Sequence, residues 1–149
     1  MTNKIDKKDV IKVGVVGYSS GKFDETTAKA LLGIAFEIVE SEHPAKSYEL
    51  VSGLTDSGIP GIAYRLADKM GWRTIGFSAE EALKYDRYDV SEEIIIGKKF
   101  GDESEQFIDY IDCLIRIGGG PQSLDEVVMA DDKNKSVYEF DLPREKEDQ

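Results

Sequence analysis

Three consecutive glycines, followed by a hydroxyl and two carboxylates, form the clearest chemical signal in this chain. An apolar segment, residues 113–117, runs directly into the glycines, and apolar residues then recur at helical spacing. Glycine lets a ligand approach the main chain closely, and the first N–H groups of a helix are free to bind an anion. We therefore predict an anion-binding turn, with the candidate ligand-binding residues Gly118, Gly119, Gly120, Gln122, Ser123 and Asp125.

The side chains at the end of this turn allow more than one interpretation. Ser123 could donate its hydroxyl to a phosphate, or it could cap the helix, because Ser123 and Glu126 have the spacing of a capping box. Asp125 and Glu126 could bind ribose hydroxyls, and Glu126 is the candidate catalytic residue, acting as a general acid or base. The alternative for these carboxylates is structural, since acidic residues in a first helical turn stabilise the helix dipole.

Two earlier glycine turns have similar chemistry. Residues 17–22 combine glycines, hydroxyls and a lysine that could hold a phosphate or ribose, but they match neither the G-x-G-x-x-G motif nor the P-loop motif. Residues 53–61 form a second turn, in which Pro60 suits a first helical turn and Gly61 lets the helix start pack closely. Each turn taken alone could also be an ordinary loop. The candidate ligand-binding residues are Gly17, Ser19, Ser20, Gly21 and Lys22 in the first turn and Gly53, Thr55, Ser57 and Gly58 in the second.

Apolar runs of strand length alternate with helical spacing along the chain. This alternation predicts a single Rossmann-like α/β domain with a parallel sheet covered by helices on both faces. Because the glycine turns all follow strands, they should meet at the carboxyl edge of the sheet, where such folds bind ligands. The domain spans residues 11–140 in this interpretation, between an N-terminal extension, residues 1–10, and a mobile acidic tail, residues 141–149. The predicted strands are residues 11–17, 48–51, 73–77, 93–96, 113–117 and 137–140, and the predicted helices are residues 25–42, 62–70, 79–84, 104–110 and 123–130.

The net charge of −11 disfavours nucleic acid as a partner, because an acidic chain is repelled by phosphate backbones. A small phosphorylated ligand is still allowed, since backbone N–H groups and one or two cations can hold it. No apolar stretch has the length of a membrane span and the N-terminus has no apolar signal core, so we expect a cytoplasmic protein with no membrane partner. No cysteine–histidine cluster or metal-loop spacing is present, and neither a metal site nor a cofactor is predicted.

Three further residues carry structural expectations. Cys113 lies in an apolar strand and is expected to be buried. Arg116 lies in the same strand, where an unpaired charge would be costly to bury, so we expect it to pair with a carboxylate such as Asp112 or Asp125. The alternative for Arg116 is a contact with the ligand or with a partner subunit. His43 lies near a helix end without evident companions and is expected at the surface.

Taken together, the three turns resemble those of a known family. The resemblance is to the LOG-like, or lysine decarboxylase-like, group of the SLOG superfamily, and it covers about residues 11–140. It implies a nucleotide-binding Rossmann-like fold and a homodimer. The hormone-activating members are phosphoribohydrolases, which cleave nucleoside 5′-monophosphates to free base and ribose 5-phosphate. The matching segments are Gly17-Tyr18-Ser19-Ser20-Gly21, Gly53-x4-Gly58-x2-Gly61 and Gly119-Gly120-x2-Ser123-x2-Glu126.

The chain departs from the family signature P-G-G-x-G-T-x-x-E at the third turn. Gly118 stands in place of the proline and Gln122 in place of the third glycine, while Glu126 keeps the glutamate. An upstream arginine–lysine pair of the hydrolases falls on Glu103 and Ser104, and a carboxylate cannot stabilise a phosphate as a guanidinium does. We therefore expect binding of a nucleotide or nucleotide-derived ligand, as by a sensor or carrier. The alternatives are a phosphoribohydrolase that uses Glu126 and a non-catalytic interaction protein with a vestigial pocket.

Overall fold

A computed structural model describes residues 8–145, and in them strands and helices alternate along the chain. The strands are β1 Lys8–Gly17, β2 Ala45–Ser52, β3 Arg73–Ser78, β4 Glu92–Ile95, β5 Cys113–Ile117 and β6 Ser136–Phe140. The helices are α1 Glu25–Glu42, α2 Gly58–Lys69, α3 Ser104–Tyr110 and α4 Pro121–Asp132, with a 3₁₀ helix at Glu80–Lys84. Within this part of the chain, no helix has the length and apolar character needed to cross a membrane.

A single sheet organises the described residues, with the strand order β4-β3-β2-β1-β5-β6. Every pairing is parallel, and Gly17 at the end of β1 lies opposite Ile117 at the end of β5. The order runs outward in opposite directions from β1 and β5, so the topological switch point lies between these two strands. This topology confirms the prediction of a Rossmann-like α/β domain built on a parallel sheet.

Two apolar cores show that helices cover both faces of the sheet. On one face, Leu32 of α1 and Tyr64 of α2 are fully buried, and on the other, Ile108 of α3 and Val127 of α4 are buried. Each such side chain contributes roughly 1.5–3 kcal/mol through burial. Cys113 lies in the first core, as expected, and burial raises the pKa of its thiol to about 12. The thiol therefore stays protonated and acts as a packing residue.

Several element boundaries differ from the prediction, chiefly at helix starts. α2 begins at Gly58 instead of residue 62, and α4 begins at Pro121 instead of residue 123. A proline lies in the first turn of each helix, where its missing N–H costs no hydrogen bond, so each helix extends upstream of its apolar pattern. β1 begins at Lys8 and pairs with β2 from there, so it includes residues that were assigned to the N-terminal extension. Residues 1–7 lie outside the described part of the chain.

The boundary of the predicted mobile tail also needs correction. Leu142 is only 4% exposed and belongs to the core on the α1 and α2 face. The N–H of Glu145 donates to the carbonyl of Lys22 at 2.8 Å. Residues 141–145 therefore pack against the domain, because an apolar side chain just beyond β6 is buried there. The prediction of mobility for residues 146–149 lies outside the described residues.

Two polar residues have partners that the sequence pattern did not identify. The guanidinium of Arg116 donates to the carboxylates of Glu139 at 2.7 Å and Asp141 at 3.0 Å, so the expected pairing with carboxylates is present, made by other residues than the examples given. Glu139 lies opposite Arg116 in the register of β5 and β6. His43 is half-buried, and its Nε2 atom lies 3.0 Å from the hydroxyl of Tyr138. In both cases the partner is close because β6 lies at the edge of the sheet beside β5, which chain order alone does not reveal.

Candidate functional site

A cleft with a volume of about 270 Å³ lies at the carboxyl edge of the sheet. All three glycine turns contribute to it, because β1, β2 and β5 are adjacent and parallel and therefore end at the same edge. The sheet itself contributes Val15 and Val16. The lining residues from the three turns and the helix starts that follow them are Gly17, Tyr18, Ser19, Gly53, Thr55, Pro60, Gly120, Pro121, Gln122, Ser123 and Glu126, and Ser52 at the end of β2 also contributes.

Half of the candidate residues from the sequence line this cleft, and the other half lie beside it. Those in the lining are Gly17, Ser19, Gly53, Thr55, Gly120, Gln122, Ser123 and Glu126. Those outside the lining are Ser20, Gly21, Lys22, Ser57, Gly58, Gly118, Gly119 and Asp125. The structure thus brings the three turns together, while the binding role of each residue stays a prediction.

Glycines outside the lining hold the turns against one another. Gly58 has a φ of +58°, and a Cβ built on it would lie 2.1 Å from the carbonyl oxygen of Tyr18. A Cβ on Gly118 would lie 2.4 Å from the ring of the same tyrosine. The hydroxyl of Ser57 donates to the carbonyl of Ser19 at 2.7 Å. These residues pack the second and third turns onto the first, so they shape the cleft from behind.

Gly53 and Gly120 have a different environment. Both line the cleft, and no protein atom outside their immediate neighbours lies within 4 Å of the position of a Cβ at either residue. The backbone of Gly120 is extended, with a φ of −102°, so its conformation does not require glycine. Open space beside bare main chain is the arrangement that lets a ligand reach backbone groups.

Ser123 and Glu126 do not form the predicted capping box. The N-cap position of α4 is Gly120, and neither acidic candidate lies in the first turn of the helix, so the dipole interpretation is wrong as well. Ser123 is instead buried against Gly119, on which a Cβ would lie 2.6 Å from the serine hydroxyl. Glu126 accepts a hydrogen bond from the hydroxyl of Ser104 at 3.1 Å. Both side chains thus belong to the cleft wall because α4 starts earlier than its apolar pattern suggests.

Two carboxyl groups in the lining are almost completely buried. Glu103 is 4% exposed and Glu126 is 5% exposed. Burial raises the pKa of both, and that of Glu126 reaches about 7 because the charge of Glu103 adds to the effect of burial. Glu103 accepts hydrogen bonds from the N–H of Gly101 at 3.0 Å and from the amide of Gln122 at 3.5 Å. Near neutral pH, Glu126 can therefore either donate or accept a proton.

Three phenylalanines that sequence reasoning missed complete the wall. Phe77 from β3 and Phe107 from α3 line the cleft with their ring centroids 5.9 Å apart. Phe100 also lines it and is 39% exposed. Aromatic faces of this kind can pack against a flat ring of a ligand. A signal in the sequence was available only for Phe77, which is the penultimate residue of a buried strand and therefore lies near the carboxyl edge.

The cleft lining also contains one guanidinium group. Arg144, expected in the mobile tail, lies at the cleft and is the only lysine or arginine among its described lining residues. Across residues 8–145, no group of three or more histidines, cysteines, aspartates or glutamates is placed to hold a metal ion. The arrangement therefore offers main-chain groups, hydroxyls, two carboxyl groups, aromatic rings and one cation.

The fold and the position of the cleft define a class: a Rossmann-like α/β domain with its cleft at the switch point of a parallel sheet. No protein-family model matches the chain, and no curated protein matches it. Solved structures do match. TM1055, known from an X-ray structure, is 21% identical over 85% of this chain and 72% of its own, with a TM-score of 0.67.

Two other similar structures have names that state a ligand. The molybdenum cofactor binding protein from the phototrophic bacterium Rippkaea orientalis is 23% identical over 91% of this chain and 77% of its own, with a TM-score of 0.66. The molybdenum cofactor carrier protein of Chlamydomonas reinhardtii is 20% identical over 89% of this chain and 76% of its own, with a TM-score of 0.64. At these identities the likeness establishes the shared fold.

Proposed function

We propose that this protein binds a phosphorylated small molecule, either a nucleotide or a nucleotide-derived ligand, in the cleft and holds it as a carrier or sensor. One observation carries the proposal: the same cleft is lined by Gly53 and Gly120, whose main chain is open to a ligand, and by the aromatic rings of Phe77 and Phe107. Main-chain N–H groups suit a phosphate, and aromatic faces suit a heterocycle. The volume of about 270 Å³ is at the small end for ligand sites, which favours a mononucleotide-sized ligand over a dinucleotide.

The structural neighbours support the carrier form of this proposal. Two of them are named for binding or carrying the molybdenum cofactor, so that cofactor is a further candidate cargo for this chain. The replacement of the hydrolases' arginine by Glu103 points in the same direction, because a buried carboxyl group does not assist phosphate chemistry.

We also propose membership of the LOG-like group on the strength of the three turns. The homodimer and the cytoplasmic location stay predictions.

Isothermal titration calorimetry of the full chain tests the binding proposal. The panel contains AMP, GMP, ribose 5-phosphate, ADP-ribose and the molybdenum cofactor, and we expect saturable binding of at least one member. A flat response to all of them contradicts the proposal and favours a protein that acts through an interaction surface.

Replacing Gly53 or Gly120 by alanine is expected to weaken binding of the same ligand by about tenfold or more. A methyl group there takes up ligand space and removes about one charge-assisted hydrogen bond, worth roughly 1.5 kcal/mol. The folded protein has room for either methyl, so the unfolding midpoint in urea should stay close to that of the wild type.

Gly33→Ala is the matched control for these two variants, because Gly33 lies in α1, outside the cleft lining, and also has open space around its Cβ position. It should bind as the wild type does. Wild-type affinity in both Gly53→Ala and Gly120→Ala would show that the ligand does not approach these turns.

A second candidate function, nucleoside 5′-monophosphate phosphoribohydrolase, is favoured by one observation. Glu126 is a buried carboxyl group in the lining with its pKa raised to about 7, which is suited to general acid or base catalysis. Incubation with the monophosphate panel, followed by chromatography for free base, separates the two functions. The carrier proposal expects no release. Release by the wild type that falls at least a hundredfold in Glu126→Gln would instead establish the hydrolase.

A further inference from the structure

Arg144 is a cation at the cleft without a carboxylate partner among the described residues. It lines the cleft, and no ion pair to it is formed within residues 8–145. Glu103 and Glu126, the two carboxyl groups of the lining, interact with the α3 and α4 side of the cleft through Ser104 and Gln122. The cleft therefore has a cationic side and an acidic side.

The guanidinium of Arg144 is held in place by the first glycine turn. It stacks on the ring of Tyr18, with its central carbon 4.7 Å from the ring centroid, and its Nη2 atom donates to the carbonyl of Ser20 at 3.2 Å. A Cβ on Gly21 would lie 2.8 Å from the Nε atom, so this glycine leaves the space that the guanidinium occupies. A guanidinium has five N–H donors, and only one of them is used by the Ser20 carbonyl, so donors remain for a ligand.

Residues 141–145, which we call the strap, bring Arg144 to the cleft. They contact the rest of the domain at several points. Asp141 accepts a hydrogen bond from Arg116 at 3.0 Å, and Leu142 is buried in the core. The N–H of Glu145 donates to the carbonyl of Lys22 at 2.8 Å. The contact with Asp141 accounts for the presence of a charged residue, Arg116, in an apolar strand. The hydrogen bond between them holds the strap against β5, beside the third glycine turn.

We infer that Arg144 binds the anionic group of the ligand and that the strap positions it over the first turn. This inference rests on the proposed function of the cleft. Arginine binds phosphate and carboxylate groups through two parallel N–H donors, and its planar group keeps this geometry when it stacks on an aromatic ring. The α3 and α4 side of the cleft contributes no lysine or arginine to the described lining. The ligand is therefore oriented with its anionic group toward Tyr18 and its uncharged part toward Phe77 and Phe107.

The test compares phosphorylated and uncharged forms of one ligand by calorimetry on the full chain. The probes are AMP and GMP, each measured beside its nucleoside, and ribose 5-phosphate. Arg144→Gln should weaken binding of the phosphorylated probes by about 10- to 50-fold and leave nucleoside binding within about twofold. Arg144→Lys should recover part of the loss, because it restores the charge without the two-pronged geometry.

Two charge-matched variants decide whether the effect belongs to Arg144 itself. Lys29→Gln removes the same charge from the exposed surface of α1 and should bind like the wild type. Lys69→Gln removes the same charge from the exposed end of α2, outside the lining, and should also bind like the wild type. A loss in Lys69→Gln or Lys29→Gln as large as that in Arg144→Gln would overturn the assignment in favour of a general charge effect. Wild-type affinity in Arg144→Gln would also overturn it while leaving the binding proposal intact, whereas a wild type that binds no probe overturns both.

Discussion

Replacing Gly58 by alanine is expected to destabilise the protein by about 3 kcal/mol or more. The residue has a φ of +58°, a left-handed conformation that is costly for alanine, and the added Cβ would lie 2.1 Å from the carbonyl oxygen of Tyr18. The contact is to backbone, so it cannot be relieved by a side-chain rotation. The same carbonyl accepts a hydrogen bond from the N–H of Ile59 at 2.7 Å, which the displacement would also break.

Urea unfolding followed by circular dichroism measures this effect, with Gly33→Ala as the control. Gly33 lies within α1 with open space around its Cβ position, so alanine there should stabilise the protein by about 0.5–1 kcal/mol. The opposite signs of the two glycine-to-alanine changes would show that Gly58 is required for the contact between the first two turns. A loss below about 1 kcal/mol in Gly58→Ala would mean that the turns are not locked together in this way.

Replacing Glu126 by glutamine is expected to stabilise the protein by about 3 kcal/mol at pH 8 and by little at pH 4. In the folded protein the pKa of Glu126 is about 7, well above the ordinary value of 4.5, chiefly because the carboxyl group is buried. The wild type therefore has its full stability while this group is protonated, below about pH 4.5, and loses stability as the pH rises toward 7. Glutamine remains neutral throughout and can still accept the hydrogen bond from Ser104.

The measurement is the free energy of unfolding in urea at pH 4, 6 and 8 for both proteins. The neighbouring charges of Glu103 and Asp125 also raise the pKa of Glu126, so the gain should grow steadily across this window. Glu37→Gln, which neutralises an exposed carboxylate on α1, should show no such trend. A difference between wild type and Glu126→Gln that does not change with pH would show that Glu126 is not a buried titrating group.

Much of the fold could be predicted from local patterns. The bounds of α3 and β5 were predicted correctly, because β5 is a continuous apolar run between polar residues and α3 has apolar residues at helical spacing. The starts of α2 and α4 were not, because their first turns contain glycine and proline in place of apolar side chains. The partners of Arg116 were missed for a different reason. Glu139 is far away in the chain, and it lies opposite Arg116 only because β6 pairs with β5.

By itself, the sequence determined that three glycine turns follow parallel strands and therefore meet at one edge. That conclusion needs only the alternation of strands and helices, which is a local property. The tertiary structure alone decided which glycines face the cleft: Gly53 and Gly120 do, whereas Gly58 and Gly118 pack against Tyr18. It also decided that Arg144 and the buried pair Glu103 and Glu126 belong to the lining. These facts depend on contacts between segments distant in the chain, and the spacing of residues along one segment carries no information about them.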